Sequence, residues 1–209
     1  MKKNNLLLAF LVALIATMLV GCEEQKQQKK SPYLGGTQGI FATFEQFGIL
    51  ENGVATIFED ETFPIEVTLK NKGEEDVPAG AVILKIKGIS PSDYEGIVFE
   101  KTNSNILEKA SEFNPEGGEE TVDFGDAKYK IPLAGSLYEA TVFVTYKYPY
   151  KTHVAIPKVC FNRDLKDTTV CVIEEAKPVY SSGGPIQVKA AREKRAGAGI
   201  IALEFDVEN

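Results

Sequence analysis

The sequence has no tryptophan, one histidine, two methionines and three cysteines among its 209 residues. A single histidine, His153, excludes a metal site built from several histidines and leaves one candidate base for a serine-type triad. No Gly-x-Ser-x-Gly elbow is present, and Ser136 in "LAGSLY" lacks that frame. His153 begins the β-like run "HVAIP", so we interpret it as a polar residue at a strand end. The sequence therefore predicts no enzyme and no catalytic, cofactor-binding or metal-binding residue.

Basic residues are also in short supply, with 23 Lys and Arg against 30 Asp and Glu and a net charge of −7. Residues 1–21 carry Lys2 and Lys3 and no acid, so their removal would leave 21 basic residues and a net charge of −9. Nucleic-acid surfaces need clustered positive charge. We therefore expect no nucleic-acid partner.

The apolar run at the N-terminus is shorter than a helix that spans a membrane. The run "LLLAFLVALIATMLV", residues 6–20, would extend roughly 22 Å as a helix, whereas a bilayer core is about 30 Å thick. A short positive head precedes it and a small residue follows it, which is the layout of a secretory signal. Residues 1–21 are therefore predicted to be a signal peptide, with a permanent transmembrane anchor as the less favoured alternative.

The apolar run ends at Leu19-Val20-Gly21-Cys22, and charge follows at once. These four residues resemble the lipobox of lipoprotein precursors. The resemblance implies that Cys22 receives a thioether-linked diacylglyceryl lipid and becomes the mature N-terminus after cleavage. The alternative is a chance cysteine near an ordinary cleavage site. The expected partner of Cys22 is the membrane, and the expected location is the outer, exported face of that membrane.

The segment after Cys22, "EEQKQQKKSPYLGG", has no apolar periodicity and is rich in Gln, Lys and Glu. Such composition is typical of disordered chain. We therefore predict that residues 22–36 form a flexible tether between the lipid and a folded domain.

The two remaining cysteines enclose a polar segment, "VCFNRDLKDTTVC". An even pair in an exported chain predicts a disulfide between Cys160 and Cys171. Two sulfurs without a neighbouring histidine are too few for structural zinc. Asn162, Asp164 and Asp167 offer oxygens to Ca²⁺, but their spacing matches no calcium loop and basic residues interleave them. We interpret this segment as a solvated turn.

Period-two alternation of apolar residues, bounded by Gly, Pro and Asn, predicts a succession of short strands. A Gly-Asp turn is expected between the predicted strands 121–125 and 128–133. A hairpin through 149–152 is expected between the predicted strands 137–148 and 153–161. One or two helical turns at most are expected in "SNILEKASEF", residues 104–113. The predicted strands are 39–44, 63–73, 81–89, 96–100, 121–125, 128–133, 137–148 and 153–161.

Strands at this spacing without βαβ alternation predict an all-β fold, an antiparallel β-sandwich over residues 37–178. The stretch "FEDETFPIEVTLKNKGEEDVPAGAVILKIKG" resembles immunoglobulin-like modules of bacterial and archaeal surface proteins, of the cell-adhesion-related type. The stretch "YEATVFVTYKYPYKTHVAIPKVC" resembles the tyrosine-rich final hairpin of archaeal surface lipoproteins. These resemblances imply an immunoglobulin-like sandwich. Without tryptophan, any relation to antibody domains is architectural.

The tyrosines of "TYKYPYK" are candidate contact residues, because tyrosines at a sandwich end stack on sugars or form protein hot spots. Tyr146 and Tyr148 share a face with Val142 and Val144, so we expect them in the core. Tyr150 is expected to be exposed and is the candidate interaction residue.

The C-terminal part begins with a Ser- and Gly-rich segment, 179–184, which predicts a flexible linker. In residues 185–209, Leu203, Phe205 and Val207 alternate and are followed by Asn209. The predicted strand 63–73 has the same pattern, with apolar residues at 65, 67 and 69 followed by Asn71. We predict that this segment is the start of a second β domain whose remainder is missing. The alternative is that its strands return to the first domain's sheets.

Two functions follow from these patterns. The favoured one is a lipid-anchored surface protein whose sandwich is a spacer or adhesion-type interaction module for an unknown envelope protein or glycan. The alternative is an envelope lipoprotein that binds or hydrolyses glycans, which would need converging carboxylates such as Asp123 or Asp126 facing Glu139. The acids Glu74, Glu75 and Asp76 are expected to be solvated loop charges.

Overall fold

The computed structural model describes residues 30–164 and 166–209, so the predicted signal peptide and the lipidation of Cys22 lie outside the described residues. Residues Ser31–Asn209 form one compact unit. The described residues contain strands and no helix, and none of them belongs to a helix suited to crossing a membrane. The strands are β1 (Ile40–Phe44), β2 (Ile49–Glu51), β3 (Val54–Thr56), β4 (Thr62–Asn71), β5 (Ile83–Lys87), β6 (Tyr94–Ile97), β7 (Glu100–Thr102), β8 (Glu119–Tyr129), β9 (Phe143–Lys147), β10 (Val154–Ala155), β11 (Ala176–Lys177), β12 (Tyr180–Ser181), β13 (Gln187–Gly197) and β14 (Ile200–Glu208).

The protein is an all-β, antiparallel sandwich, as the sequence predicts. One sheet has the order β1-β4-β8-β6, and the other has the order β7-β5-β9. In immunoglobulin-type domains one sheet has the strand order A-B-E-D, and strand C of the other sheet pairs with strand F. The first sheet here has that order when β1, β4, β8 and β6 are named A, B, E and D. In the other sheet β5 and β9, named C and F, pair in the same way. Every strand pair among the described residues is antiparallel.

The core is formed by the inward residues of both sheets. On β4, Ile65, Val67 and Leu69 alternate with polar or less buried positions and are fully buried, because successive side chains of a strand point to opposite faces. They pack with residues of β8 and β5 in one apolar cluster: Val122, Phe124, Leu84 and Ile86. The alternation on β4 and β5 therefore identified the core correctly.

Two buried asparagines fix the loops at one end of the sandwich. Asn71 donates to the carbonyls of Glu75 and Leu107 and accepts from the N–H of Gly73. Asn103 likewise accepts from the N–H of Val82 and donates to two loop carbonyls. Each amide thereby adds side-chain hydrogen bonds to backbone groups of these loops.

Two predicted turns are wrong. The chain runs through Gly125 and Asp126 as one strand, β8, and Gly125 takes a φ of +105° beside an irregular pairing with β6. Glycine there accommodates a bulge rather than a turn. The hairpin through 149–152 does not form either, because β9 pairs with β5 and β10 pairs with β12.

The helical turns expected in 104–113 are also absent. Leu107 exchanges both backbone hydrogen bonds with Val77, and both side chains are fully buried. Tertiary pairing of Leu107 overrides the weak local preference for helix. Conversely, the sequence contains a hairpin that we did not predict, β2 to β3, which turns at Asn52-Gly53 with φ of 52° and 82°. An Asn-Gly pair is the favoured sequence for such a turn.

The C-terminal segment forms a third sheet, of order β11-β13-β14, beside the small β10-β12 pair. Residues 179–184 differ from the expected flexible linker, because they contain β12 and because Ser182, Gly183 and Gly184 are buried. Gln187 helps to hold this segment, since its amide donates to the carbonyls of Ser182, Gly184 and Ile186. These hydrogen bonds restrict the conformation of a segment whose Ser- and Gly-rich composition suggests a flexible linker.

Candidate functional site

The loops that follow β4, β9 and β12 meet at one place, which we call the loop junction: Gly73, Glu74, Glu75, Tyr150, Lys151, His153, Ser182, Gly183 and Gly184. It contains the only histidine and the predicted contact residue Tyr150. It also binds Leu34 to Gly36, close to the start of the described residues, through backbone and carboxylate contacts. The junction is therefore the place where distant parts of the sequence are brought together.

Tyr150 lies at the centre of the loop junction and is half-buried, so the expectation that it is exposed is wrong. Its hydroxyl donates a hydrogen bond of 2.8 Å to the carbonyl oxygen of Gly183. A Cβ added to Gly73 or to Gly184 would overlap the tyrosine side chain, so both neighbours need to be glycine. Burial raises the pKa of the Tyr150 hydroxyl to about 12. This tyrosine is a packing residue whose polar end is already bonded.

Glu74 is the second central residue of the junction. Its carboxylate accepts backbone N–H groups from Leu34 at 2.9 Å, from Gly35 at 2.9 Å and from Gly183 at 2.6 Å. Its own N–H donates to the carbonyl of Gly183 at 3.0 Å. One side chain therefore connects the N-terminal residues, the turn after β4 and the segment after β12. Residues 34–36 are therefore bound to the domain, although the sequence predicts that they belong to the flexible tether of residues 22–36.

Glu75 forms a more open polar group on the same turn. Its carboxylate lies 2.9 Å from Nε2 of His153 and 3.5 Å from Nζ of Lys151. The hydrogen bond with His153 is the main reason that the pKa of Glu75 lies below its ordinary value, and the charge of Lys151 adds to it. Glu74 and Glu75 are therefore structural contacts and not the solvated loop charges that we expected.

The arrangement of His153 differs from that of a hydrolytic triad. Ser182 is buried, and its hydroxyl accepts the backbone N–H of His153 at 2.8 Å, while the imidazole is directed to Glu75. A triad needs the ring nitrogen at the nucleophile. His153 directly precedes β10, as expected for a strand-end residue.

The other two tyrosines of the motif divide between core and surface. Tyr148 packs against the core, and its hydroxyl accepts the N–H of Ile40 at 3.1 Å. Tyr146 is 36% exposed and stacks on Tyr148 with the ring centroids 6.1 Å apart. The exposed tyrosine of the motif is thus Tyr146, where the sequence favoured Tyr150.

The predicted disulfide joins Cys160 to Cys171, with the Cα atoms 5.8 Å apart. It lies beside a buried charge cluster that the sequence did not predict. The N–H of Cys160 donates to Oε2 of Glu193 at 3.0 Å, and the same oxygen lies 2.9 Å from Nζ of Lys177. Oε1 of Glu193 is buried and has no hydrogen-bond partner among the described residues. Lys and Glu in a strand give no sequence signal of such burial.

The acids considered for other chemistry lie at the surface. Asp123 and Asp126 are exposed on β8, and the carboxylate of Asp123 accepts the N–H of Gly125 at 2.6 Å. Glu139 is exposed as well. Asp164 and Asp167 bind their own turn, and no group of three or more His, Cys, Asp or Glu within 30–164 and 166–209 is placed to hold a metal ion.

We compared the chain with protein-family models, with curated proteins and with solved structures. None of the three comparisons finds a match.

Proposed function

We propose that this protein is a lipid-anchored surface protein whose β-sandwich acts as a spacer or interaction module and catalyses no reaction. The observation that carries the proposal is the sequence Leu19-Val20-Gly21-Cys22 directly behind a short apolar run. A diacylglyceryl group supplies two acyl chains, and two chains hold a protein stably at a membrane whereas one does not.

The junction around Glu74 supports the same proposal. Its carboxylate binds the chain at Leu34 and Gly35, so the folded unit begins a short distance in sequence after Cys22. A module attached in this way is presented close to its anchor. The polar groups of the loop junction bind one another, as expected for a part that maintains a shape rather than transforms a substrate.

The proposal also names a partner class, an envelope protein or glycan that contacts the sandwich. The exposed aromatic residue available for such a contact on the tyrosine motif is Tyr146. Tyrosine presents a flat apolar face with a polar end, which suits either partner.

The anchor is tested by expressing the full chain in a bacterial host that processes lipoproteins, with a labelled fatty acid in the medium. We expect label on the wild-type protein, partition into the detergent phase and an intact mass that begins at Cys22 with a diacylglyceryl group. The Cys22→Ser variant is the matched control and should carry no label. An unlabelled wild-type protein, or equal labelling of the two, contradicts the proposal.

A further inference from the structure

The outer edge of β14 is a long unpaired strand edge. β14 has nine residues and lies at the end of the β11-β13-β14 sheet, and no strand of the described residues pairs with its outer side. The other edge strands of the three- and four-stranded sheets have five residues or fewer: β1, β6, β7, β9 and β11. An unpaired edge presents backbone donors and acceptors to another strand.

The sequence of β14 lacks most of the features that usually protect an edge. "IIALEFDVE" contains no proline and no lysine. Both irregularities of the hairpin fall on β13, at Lys189 and Ala196, so β14 itself is regular. Bulges, prolines and charged side chains, lysine above all, keep natural edges from pairing. Of these β14 has only acids, Glu204, Asp206 and Glu208.

One face of β14 is apolar and uncovered. Leu203 and Phe205 lie opposite Glu193 and Ala191 of β13, which are buried. On β14, however, Leu203, Phe205 and Val207 are 37%, 46% and 60% exposed. The apolar face of the sheet therefore extends beyond the part that the rest of the domain covers.

We infer that this edge binds a second copy of the same chain, with the two β14 strands antiparallel about a two-fold axis at Leu203. In this register Leu203 lies opposite its own copy, and Ile201 lies opposite the second copy's Phe205. On the other face, Glu204 lies opposite Ala202, and Asp206 lies opposite Ile200. Apolar residues thus meet on the uncovered face, and no acid meets an acid.

Charge selects this register over its neighbours. Moving the axis to Glu204 places that acid against itself, and moving it to Phe205 places Glu204 against Asp206. Like charges directly opposite each other destabilise a strand pair. Moving the axis to Ala202 avoids the clash but pairs fewer residues. Leu203 is the axis that gives the longest pairing free of like charges.

Two of the three acids of β14 are already paired with basic residues of the same chain. Glu204 lies 2.6 Å from Lys194, and Asp206 lies 3.6 Å from Arg192, both on β13 of the same chain. A partner of complementary positive charge is therefore not required, and a self-complementary strand suits the two-fold symmetry that most homodimers have.

The register is tested by disulfide trapping in the full chain, in a Cys22→Ala background and detergent micelles. Residue 203 lies opposite its own copy, so Leu203→Cys should form an intermolecular disulfide under mild oxidation, with a 203–203 peptide in non-reducing mass mapping. Val207→Cys is the matched control. It is more exposed, but the two copies would be eight residues out of register, so it should not cross-link. Equal cross-linking at both positions, or none at 203, overturns the inference.

A second measurement tests association without new cysteines. We expect the wild type to be a dimer by sedimentation equilibrium, and Leu203→Lys to raise the dissociation constant at least tenfold. Phe113→Lys, at a 98% exposed side chain outside β14, should leave the dimer unchanged. A wild type that remains monomeric at about 100 μM would have a dissociation constant well above the micromolar range and would overturn the inference. A dimer insensitive to Leu203→Lys would overturn it as well.

Discussion

Nζ of Lys177 lies 2.9 Å from Oε2 of Glu193, and solvent reaches neither side chain. The ammonium also donates to the carbonyl of Val172 and to Oε1 of Glu175, both at 2.8 Å, so each of its three protons has an acceptor. Burial acts to lower the pKa of Lys177, but the hydrogen bonds to Glu175 and Glu193 and the charges of these carboxylates together outweigh it, so the pKa lies above its ordinary value. The pair is charged, buried and almost fully bonded.

We predict that removal of one partner is severe. Lys177→Met leaves Glu193 buried without its counter-charge and should lower the free energy of unfolding by roughly 3–5 kcal/mol in urea denaturation. Lys194→Met breaks the exposed pair with Glu204 and should cost about 1 kcal/mol or less. The double variant Lys177→Met/Glu193→Leu should be more stable than Lys177→Met alone. Equal losses for Lys177→Met and Lys194→Met would contradict this account.

A second prediction concerns the fit between Gly73 and Tyr150. The Cβ introduced by Gly73→Ala overlaps the Tyr150 hydroxyl, and overpacking of this kind costs about 1–3 kcal/mol. Combining it with Tyr150→Phe removes the overlapping oxygen and should recover part of the loss. Gly135→Ala is the control, because its Cβ meets no atom within 4 Å. Thermal unfolding is measured for these three variants and the wild type. A Gly73→Ala variant as stable as Gly135→Ala would refute the close contact between residue 73 and Tyr150.

Glu74 is predicted to hold the N-terminal residues on the domain. Glu74→Gln removes the charge and one acceptor oxygen, so amide hydrogen exchange should accelerate at Leu34, Gly35 and Gly183. Glu120→Gln is a matched control, since that carboxylate accepts the N–H groups of Ser104 and Asn105 at 2.6 and 3.0 Å. It should accelerate exchange at those two residues and not at Leu34. Unchanged exchange at Leu34 in Glu74→Gln would show that other contacts hold the segment.

The contact between Glu75 and His153 predicts a pH dependence of stability. The pKa of Glu75 is lower in the folded protein than its ordinary value, so the contact stabilises the fold above the unfolded pKa of about 4.3. That contribution is lost as the pH falls through the folded pKa. The urea midpoint should therefore decline less steeply below about pH 5 in Glu75→Gln and in His153→Ala than in the wild type. Identical slopes would exclude a role for this pair.

The sequence predicted well where local pattern and burial agree. On β4, alternation places Ile65, Val67 and Leu69 in the core. The pairing of Cys160 with Cys171 follows from their even number and from the export that the sequence predicts. It failed where a partner distant in sequence decides the outcome. Tyr150 is half-buried because the chain at Gly183, 33 residues later, returns to its hydroxyl.

The wrong predictions at glycine residues also arise from contacts with residues distant in sequence. Gly125 followed by Asp126 has the composition of a turn, yet cross-strand pairing keeps the chain extended there. Gly183 and Gly184 have the composition of a linker, yet glycine is needed at 184 because Tyr150 leaves no room for a side chain. Composition does not distinguish a glycine that allows motion from one that allows close packing.

The Glu74 contacts also determine how the domain would respond to mechanical tension. Pulling on the chain before Leu34 loads the hydrogen bonds to Glu74 before it reaches β1. Glu74 lies three residues after the end of β4, which pairs with β1 on one side and β8 on the other. The force is therefore delivered to the turn after an interior strand, and the five-residue edge strand β1 is shielded from being peeled away first.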